Sequence, residues 1–175
     1  MKTKLSWFAG LIDGEGCFTV SVRKHHKSTL KITPIFSIQM KDGSWVEEVI
    51  KILNDVDVKH YVRKRKNQIE ISVKCWKNII PLIRMLLPFS IVKKPLMKRF
   101  LTYRPKPVRN RFIPPDPKII GELAELIDFV RNFNRGKNRP YKWTGKRILE
   151  FFKINNKIAR RGISGHCLLN HGHPV

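Results

Sequence analysis

Residues 5–16 read Leu-Ser-Trp-Phe-Ala-Gly-Leu-Ile-Asp-Gly-Glu-Gly. Leu5, Trp7, Phe8, Leu11 and Ile12 fall on several sides of a helix, which predicts burial on more than one side. Ser6, Gly10 and Gly14 recur four apart with Ala9 beside them, a narrow stripe where a second backbone can come close. Gly10 costs about 1 kcal/mol relative to Ala in a helix interior, so it needs a compensating contact. The stretch closes on Asp13-Gly14-Glu15-Gly16, with Gly16 able to take a left-handed cap. Acids at the negative end of a helix dipole are unfavourable. Their presence points to a metal or a positive partner. The plainer alternative is an amphipathic helix with a glycine stop.

Charge narrows the partner. Lys and Arg number 36 against 13 Asp and Glu, for a net charge of +23 over 175 residues. A chain so basic favours a polyanion, although a halo of solvating lysines is the weaker reading. No apolar run approaches the ~20 residues of a membrane span, and the start is no signal peptide, so nucleic acid is favoured over a membrane. Cys17, Cys75 and Cys167 are odd in number and far apart. They read as reduced thiols of an intracellular protein, in cytoplasm or organelle, not as a disulfide frame.

After Gly16 the pattern changes period. Cys17 to Arg23 alternates, with Phe18, Val20 and Val22 on one face, and predicts a half-buried strand. Lys24 to Ser28 reads as a basic loop. Leu30 to Lys41 alternates again, with Pro34 predicting an edge or a bulge. Ser44 and Glu47 form a capping-box pattern ahead of a helix to about Leu53. Tyr61 to Arg65 and Gln68 to Lys74 make a second hairpin. Helices follow over Trp76 to Leu87, opened at Pro81, and over Lys93 to about Thr102, opened by Pro95. Helix, strand, strand, helix, strand, strand, helix is an α+β order, an αββαββα unit whose four-stranded antiparallel sheet has helices on one face only.

The other face carries Thr19, Ser21 and Arg23 from the first strand and Lys31, Thr33, Ser37, Gln39 and Lys41 from the second. The later hairpin adds Tyr61, Arg63 and Arg65, then Gln68, Glu70, Ser72 and Lys74. An ordinary solvated face would hold more acids. This composition suits a DNA major groove, with Arg and Gln reading base edges and Lys holding phosphates.

The rest of the chain reads differently. Residues 1–104 form the core unit, residues 105–117 a Pro/Arg-rich linker, and residues 118–175 a basic helical C-terminal segment. Within the last, one helix starts at Asp116-Pro117 and ends at Asn134, and another spans Thr144 to about Ile158. Leu123 to Asp128 imitates the opening stretch, but Glu125 stands where the close-packing glycine belongs. Too few residues follow for a second four-stranded unit. His166, Cys167, His171 and His173 fit no strong zinc spacing and read as a loose tail.

Phe8 to Gly16 resembles the signature of the LAGLIDADG homing endonuclease family in its single-motif, homodimeric form. Phe stands for the first Leu, Gly for the second Ala and Glu for the second acid. The resemblance covers residues 5 to about 104, motif and order of elements together. It implies a site-specific endonuclease, a phosphodiester hydrolase that makes a staggered double-strand break in a long pseudo-palindromic DNA site during homing of an intron or intein. It implies Mg²⁺, with Mn²⁺ or Ca²⁺ able to occupy the site. Glu15 matches the metal-binding acid, assisted by the Gly14 carbonyl. Asp13 matches the structural acid that ties the helix pair, with Ser6, Ala9, Gly10 and Gly14 at the dimer contact. Gln39 matches a residue that positions solvent and Lys93 a basic residue near the scissile phosphate. Read from local pattern alone, Gln39 is a polar residue of the DNA face and Lys93 a helix-cap lysine. The family often has a basic residue where Gly43 stands, which leaves Lys41 as a substitute. An RNA-splicing maturase, with RNA as its partner, or a non-cleaving nucleic-acid-binding protein on the same scaffold is the competing reading.

Overall fold

The structure, a computed structural model, describes residues 2–26, 29–41, 43–103, 116–134 and 142–153. Helix α1 (Lys2–Glu15) runs directly into β1 (Gly16–His26), followed by β2 (Thr29–Lys41), α2 (Trp45–Asp55), β3 (His60–Arg65) and β4 (Gln68–Lys74). Helices α3 (Trp76–Leu86), α4 (Lys94–Thr102) and α5 (Pro117–Phe133) complete the named elements, and a last helix covers 145–153. The αββαββα order is the one the sequence predicts.

The sheet is antiparallel throughout, in the order β1-β2-β4-β3. Its alternation sends Phe18, Phe36, Ile38, Ile71 and Val73 to one face, where none retains any exposure. They meet Phe8 and Ile12 of α1, Leu82, Ile83 and Leu86 of α3, and Phe100 of α4 in one core. The Phe18 ring lies 4.9 Å from Phe36 and 5.8 Å from Phe100. Each such side chain contributes about 1.5–3 kcal/mol on burial, which fixes the strand register and so the identity of the open face.

Local details depart from the sequence reading. Strand β1 continues through Lys24 to His26, where a basic loop was expected, because the ladder to β2 carries on past the apolar alternation, with a register shift between Lys24 and His26. Backbone pairing needs no apolar side chains. Pro34 sits in register opposite Val20 without a bulge. The pairing of β2 with β4 begins one residue later, at Ile35. On that side Pro34 is therefore locally an edge, where its missing N–H costs nothing.

The capping box before α2 does not form, since Ser44 is itself helical and its side chain makes no cap bond. Helix α3 starts at Trp76, so Pro81 lies inside it rather than opening it. Gly16 has no left-handed backbone. A Cβ there would stand 2.6 Å from the Ile12 carbonyl oxygen, so close approach is what demands glycine.

Helix α5 is capped by Asp116, which accepts the Lys118 amide at 2.9 Å. It lies against α4 and β1, with Arg99 and Glu125 paired at 2.6 Å. Asn134 donates its side-chain amide to the Phe18 carbonyl at 2.8 Å. Gly145 donates its N–H to Asp128 at 2.9 Å, joining the last helix to α5. Most of the Pro/Arg-rich linker and the tail with His166, Cys167, His171 and His173 lie outside the described residues. Among the described residues no helix is long and apolar enough to cross a membrane.

Candidate active site and DNA face

Three residues singled out for chemistry converge on one end of the sheet. Glu15 is the last residue of α1 and Gly16 the first of β1. Gly16 pairs with Ile38, so the antiparallel register brings Glu15 to the same end as Gln39. Lys93 is attached there through its backbone, its N–H donating to Asp13 at 2.9 Å. Glu15 is exposed and, among the described residues, makes no ion pair. Gln39 is exposed and donates to Gln68 at 2.5 Å.

Asp13 organises this end. Its carboxylate accepts from the Ser90 hydroxyl at 2.6 Å and from the Ile91, Val92 and Lys93 amides at 2.6, 3.1 and 2.9 Å. Burial pushes the Asp13 carboxyl up. The Ser90 hydroxyl and the three amides outweigh that and hold it below its ordinary value. Asp13 thus ties the end of α1 to a later segment of the same chain. Its oxygens are filled within its own chain, by the segment leading into α4. Ala9 has no exposure and belongs to the subunit's own core. Ser6, Gly10 and Gly14 do form an exposed stripe beside Trp7, which is 42% exposed. A Cβ at Gly10 or Gly14 would meet nothing within 4 Å.

The open face has the predicted membership. Ladder rungs align Gln39, Glu70 and Arg63, then Lys41, Gln68 and Arg65, then Ser37, Ser72 and Tyr61, while Thr19, Ser21 and Arg23 stand across from Ile35, Thr33 and Lys31. Arg65 is paired with Glu70 at 3.1 Å, and the Lys74 ammonium lies 5.1 Å from the Tyr61 ring centroid. Arg63 has no ion-pair partner among the described residues. Ser72 lies lower on this face than its neighbours. It is only 6% exposed, a short side chain on an inner strand between Ser37 and Tyr61. A cleft at the hairpin tip is lined by Lys41, Arg65, Lys66, Asn67 and Gln68.

Sequence reading missed Ser90 and Phe133. Pro95 marks the start of α4, but nothing local says that the turn before it, residues 90–93, turns its donors to Asp13. The Lys93 ammonium lies 5.9 Å from the Phe133 ring centroid. Cys17, the second residue of β1, is near it too: burial pushes that thiol up and the Lys93 charge partly offsets this.

Among the described residues no three His, Cys, Asp or Glu side chains group to hold a metal. One chain offers at this point the Glu15 carboxylate and the Gly14 carbonyl, both hard oxygens of the kind Mg²⁺ or Ca²⁺ takes. The donor types fit such an ion.

A cationic open sheet with a free carboxylate and a lysine at one end is an α+β surface suited to a polyanion. The family profile described as LAGLIDADG endonuclease matches residues 8–98. The chain belongs to the LAGLIDADG endonuclease family and is a DNA endonuclease by class. Solved structures share the fold. The homing endonuclease I-CvuI, solved with an I-CreI target in 2 mM Mg and the DNA not cleaved, is 21% identical with a TM-score of 0.70, over 89% of this chain and 96% of that one. The archaeal intron-encoded homing endonuclease I-Vdi141I, complexed with DNA, is 20% identical with a TM-score of 0.65, over 89% and 98%. The group I intron-encoded I-CeuI, complexed with DNA, is 15% identical with a TM-score of 0.60, over 87% and 77%. No curated protein sequence matches.

Proposed function

We propose that the protein is a site-specific homing endonuclease acting as a C₂ homodimer, making a Mg²⁺-dependent staggered double-strand break in a roughly palindromic DNA site. The observation that carries this is the exposed, unpaired Glu15 at the end of a helix whose small-residue stripe is open. Two copies packed through Ser6, Gly10 and Gly14 bring two Glu15 carboxylates together, since a two-fold contact presents the same patch on both chains. Each sheet then lies along one half-site. When bound, the metal supplies charge neutralisation at the phosphate and an activated water.

The protein's own groups do the rest. Glu15 and the Gly14 carbonyl would hold the ion. Gln39 orients solvent by hydrogen bonding, and the Lys93 ammonium faces developing charge on the phosphate. Arg63, Lys41 and Lys31 engage bases and phosphates from the sheet. The test is cleavage of a randomised-site plasmid library with and without Mg²⁺, by native protein and by Glu15→Gln. Native protein should linearise a defined subset only with the metal. Glu15→Gln should bind that subset and leave it intact. Undiminished cutting by the variant would sink the assignment of Glu15, and binding without any cutting by native protein would favour a non-cleaving module.

A further inference from the structure

Lys93 lies at the N-terminal end of α4, outside the sheet and outside the signature helix, on a four-carbon stem that is costly to immobilise. A basic group acting on a phosphate must nonetheless be held to about an ångström to be effective. The structure fixes it at both ends. Its peptide N–H is bound by Asp13 at 2.9 Å, beside the Ser90, Ile91 and Val92 donors to the same carboxylate. Its ammonium lies over the ring of Phe133, 5.9 Å from the centroid, within the reach of a cation–π contact. Phe133 is the last residue of α5 and is itself held, its ring stacked 6.3 Å from Phe129. The next residue, Asn134, is anchored by its 2.8 Å bond to the Phe18 carbonyl of β1.

We propose that Phe133, together with Asp13, is a positioning residue for Lys93, so that α5 is part of the cleavage machinery although it lies beyond the residues the family profile covers. The proposal rests on the role given to Lys93 above. Asp13 sets where the lysine leaves the backbone, and Phe133 sets where its charge comes to rest. A leucine at 133 would fill similar space without the negative ring face, whereas tyrosine would keep that face.

The experiment measures single-turnover cleavage and DNA affinity of the full chain carrying Phe133→Leu, Phe133→Tyr, Asp13→Asn or Lys93→Met, each with its thermal midpoint. Phe133→Leu should lower the cleavage rate on the order of fivefold with affinity and thermal midpoint near native, and Phe133→Tyr should restore the rate. Asp13→Asn should also slow the rate more than it weakens affinity. In the Lys93→Met background, over long incubations, Phe133→Leu should add no further loss, as coupled residues require. Equal rates for native and Phe133→Leu, with Lys93→Met slow, would overturn the proposal while leaving Lys93 in its role. Native-rate cleavage by Lys93→Met would instead overturn the role of Lys93 itself. A Phe133→Leu loss that persists in full without Lys93 would make Phe133 a packing residue only.

Discussion

The Asp13 carboxylate, in the last turn of α1, accepts the amide hydrogen of Lys93 at 2.9 Å across a separation of 80 residues. This bond joins the end of the signature helix to the start of α4, and three more donors, from Ser90, Ile91 and Val92, share the same two oxygens. The acid that looked misplaced at a helix C-terminus thus holds the turn that leads into α4, and its four donors offset the unfavourable end of the α1 dipole.

Asp13→Ala leaves those donors without their acceptor. A donor left without its partner costs about 1–3 kcal/mol where water is shut out, and these four are only partly shielded, so a loss of about 1–2 kcal/mol is expected. Urea denaturation of the native and variant proteins checks it. A change below the error of the measurement would show that water replaces the carboxylate without loss.

Two glycines of the same stretch should answer oppositely. Gly16→Ala drives a Cβ to 2.6 Å from the Ile12 carbonyl oxygen, so backbone must shift and the fold should lose on the order of 2 kcal/mol. Gly10→Ala meets nothing within 4 Å in the subunit, and the helix should gain up to about 1 kcal/mol. Gly10→Leu should leave the subunit folded but weaken self-association and abolish cleavage. Sedimentation velocity and circular dichroism separate these outcomes, and a dimeric, fully active Gly10→Leu would contradict pairing through this stripe.

The two arginines of β3 should differ. Arg63 has no ion-pair partner among the described residues, whereas Arg65 is held at 3.1 Å by Glu70 and must leave it to contact a base. Arg63→Ala should cost about 1–3 kcal/mol of binding and relax sequence preference; Arg65→Ala should cost less. Binding of all forms should fall steeply with salt, as release of counterions from DNA requires. Titrations of cognate and scrambled duplexes at several salt concentrations read both effects.

Tyr103 gives a pH dependence. Its ring is 6% exposed and lies 5.1 Å from Trp76. Burial, helped by the Glu122 charge, pushes its hydroxyl up to about 12. A folded-state value above the unfolded one means that its contribution is complete below the ordinary tyrosine range near ~10. That contribution is lost as pH climbs through about 12. Thermal midpoints of the native protein should therefore fall over that window more steeply than those of Tyr103→Phe.

The sequence by itself determined the αββαββα order, the membership of the open face and the position of Glu15, because each follows from local periodicity. A period-two pattern such as Phe18-Val20-Val22 can bury only one face, and a helix ending in Asp-Gly-Glu-Gly fixes where its acids emerge. Tertiary structure decided what those acids touch. That Asp13 meets Ser90 and Lys93, that Phe133 lies under the Lys93 ammonium, and that Arg65 is engaged by Glu70 all depend on contacts between elements, and no local spacing encodes them. Gly16 shows the boundary within one residue. Its place at the end of the helix is written in the motif, but the reason for glycine, the Ile12 carbonyl 2.6 Å from where a Cβ would stand, shows only in the path the backbone takes from α1 into β1.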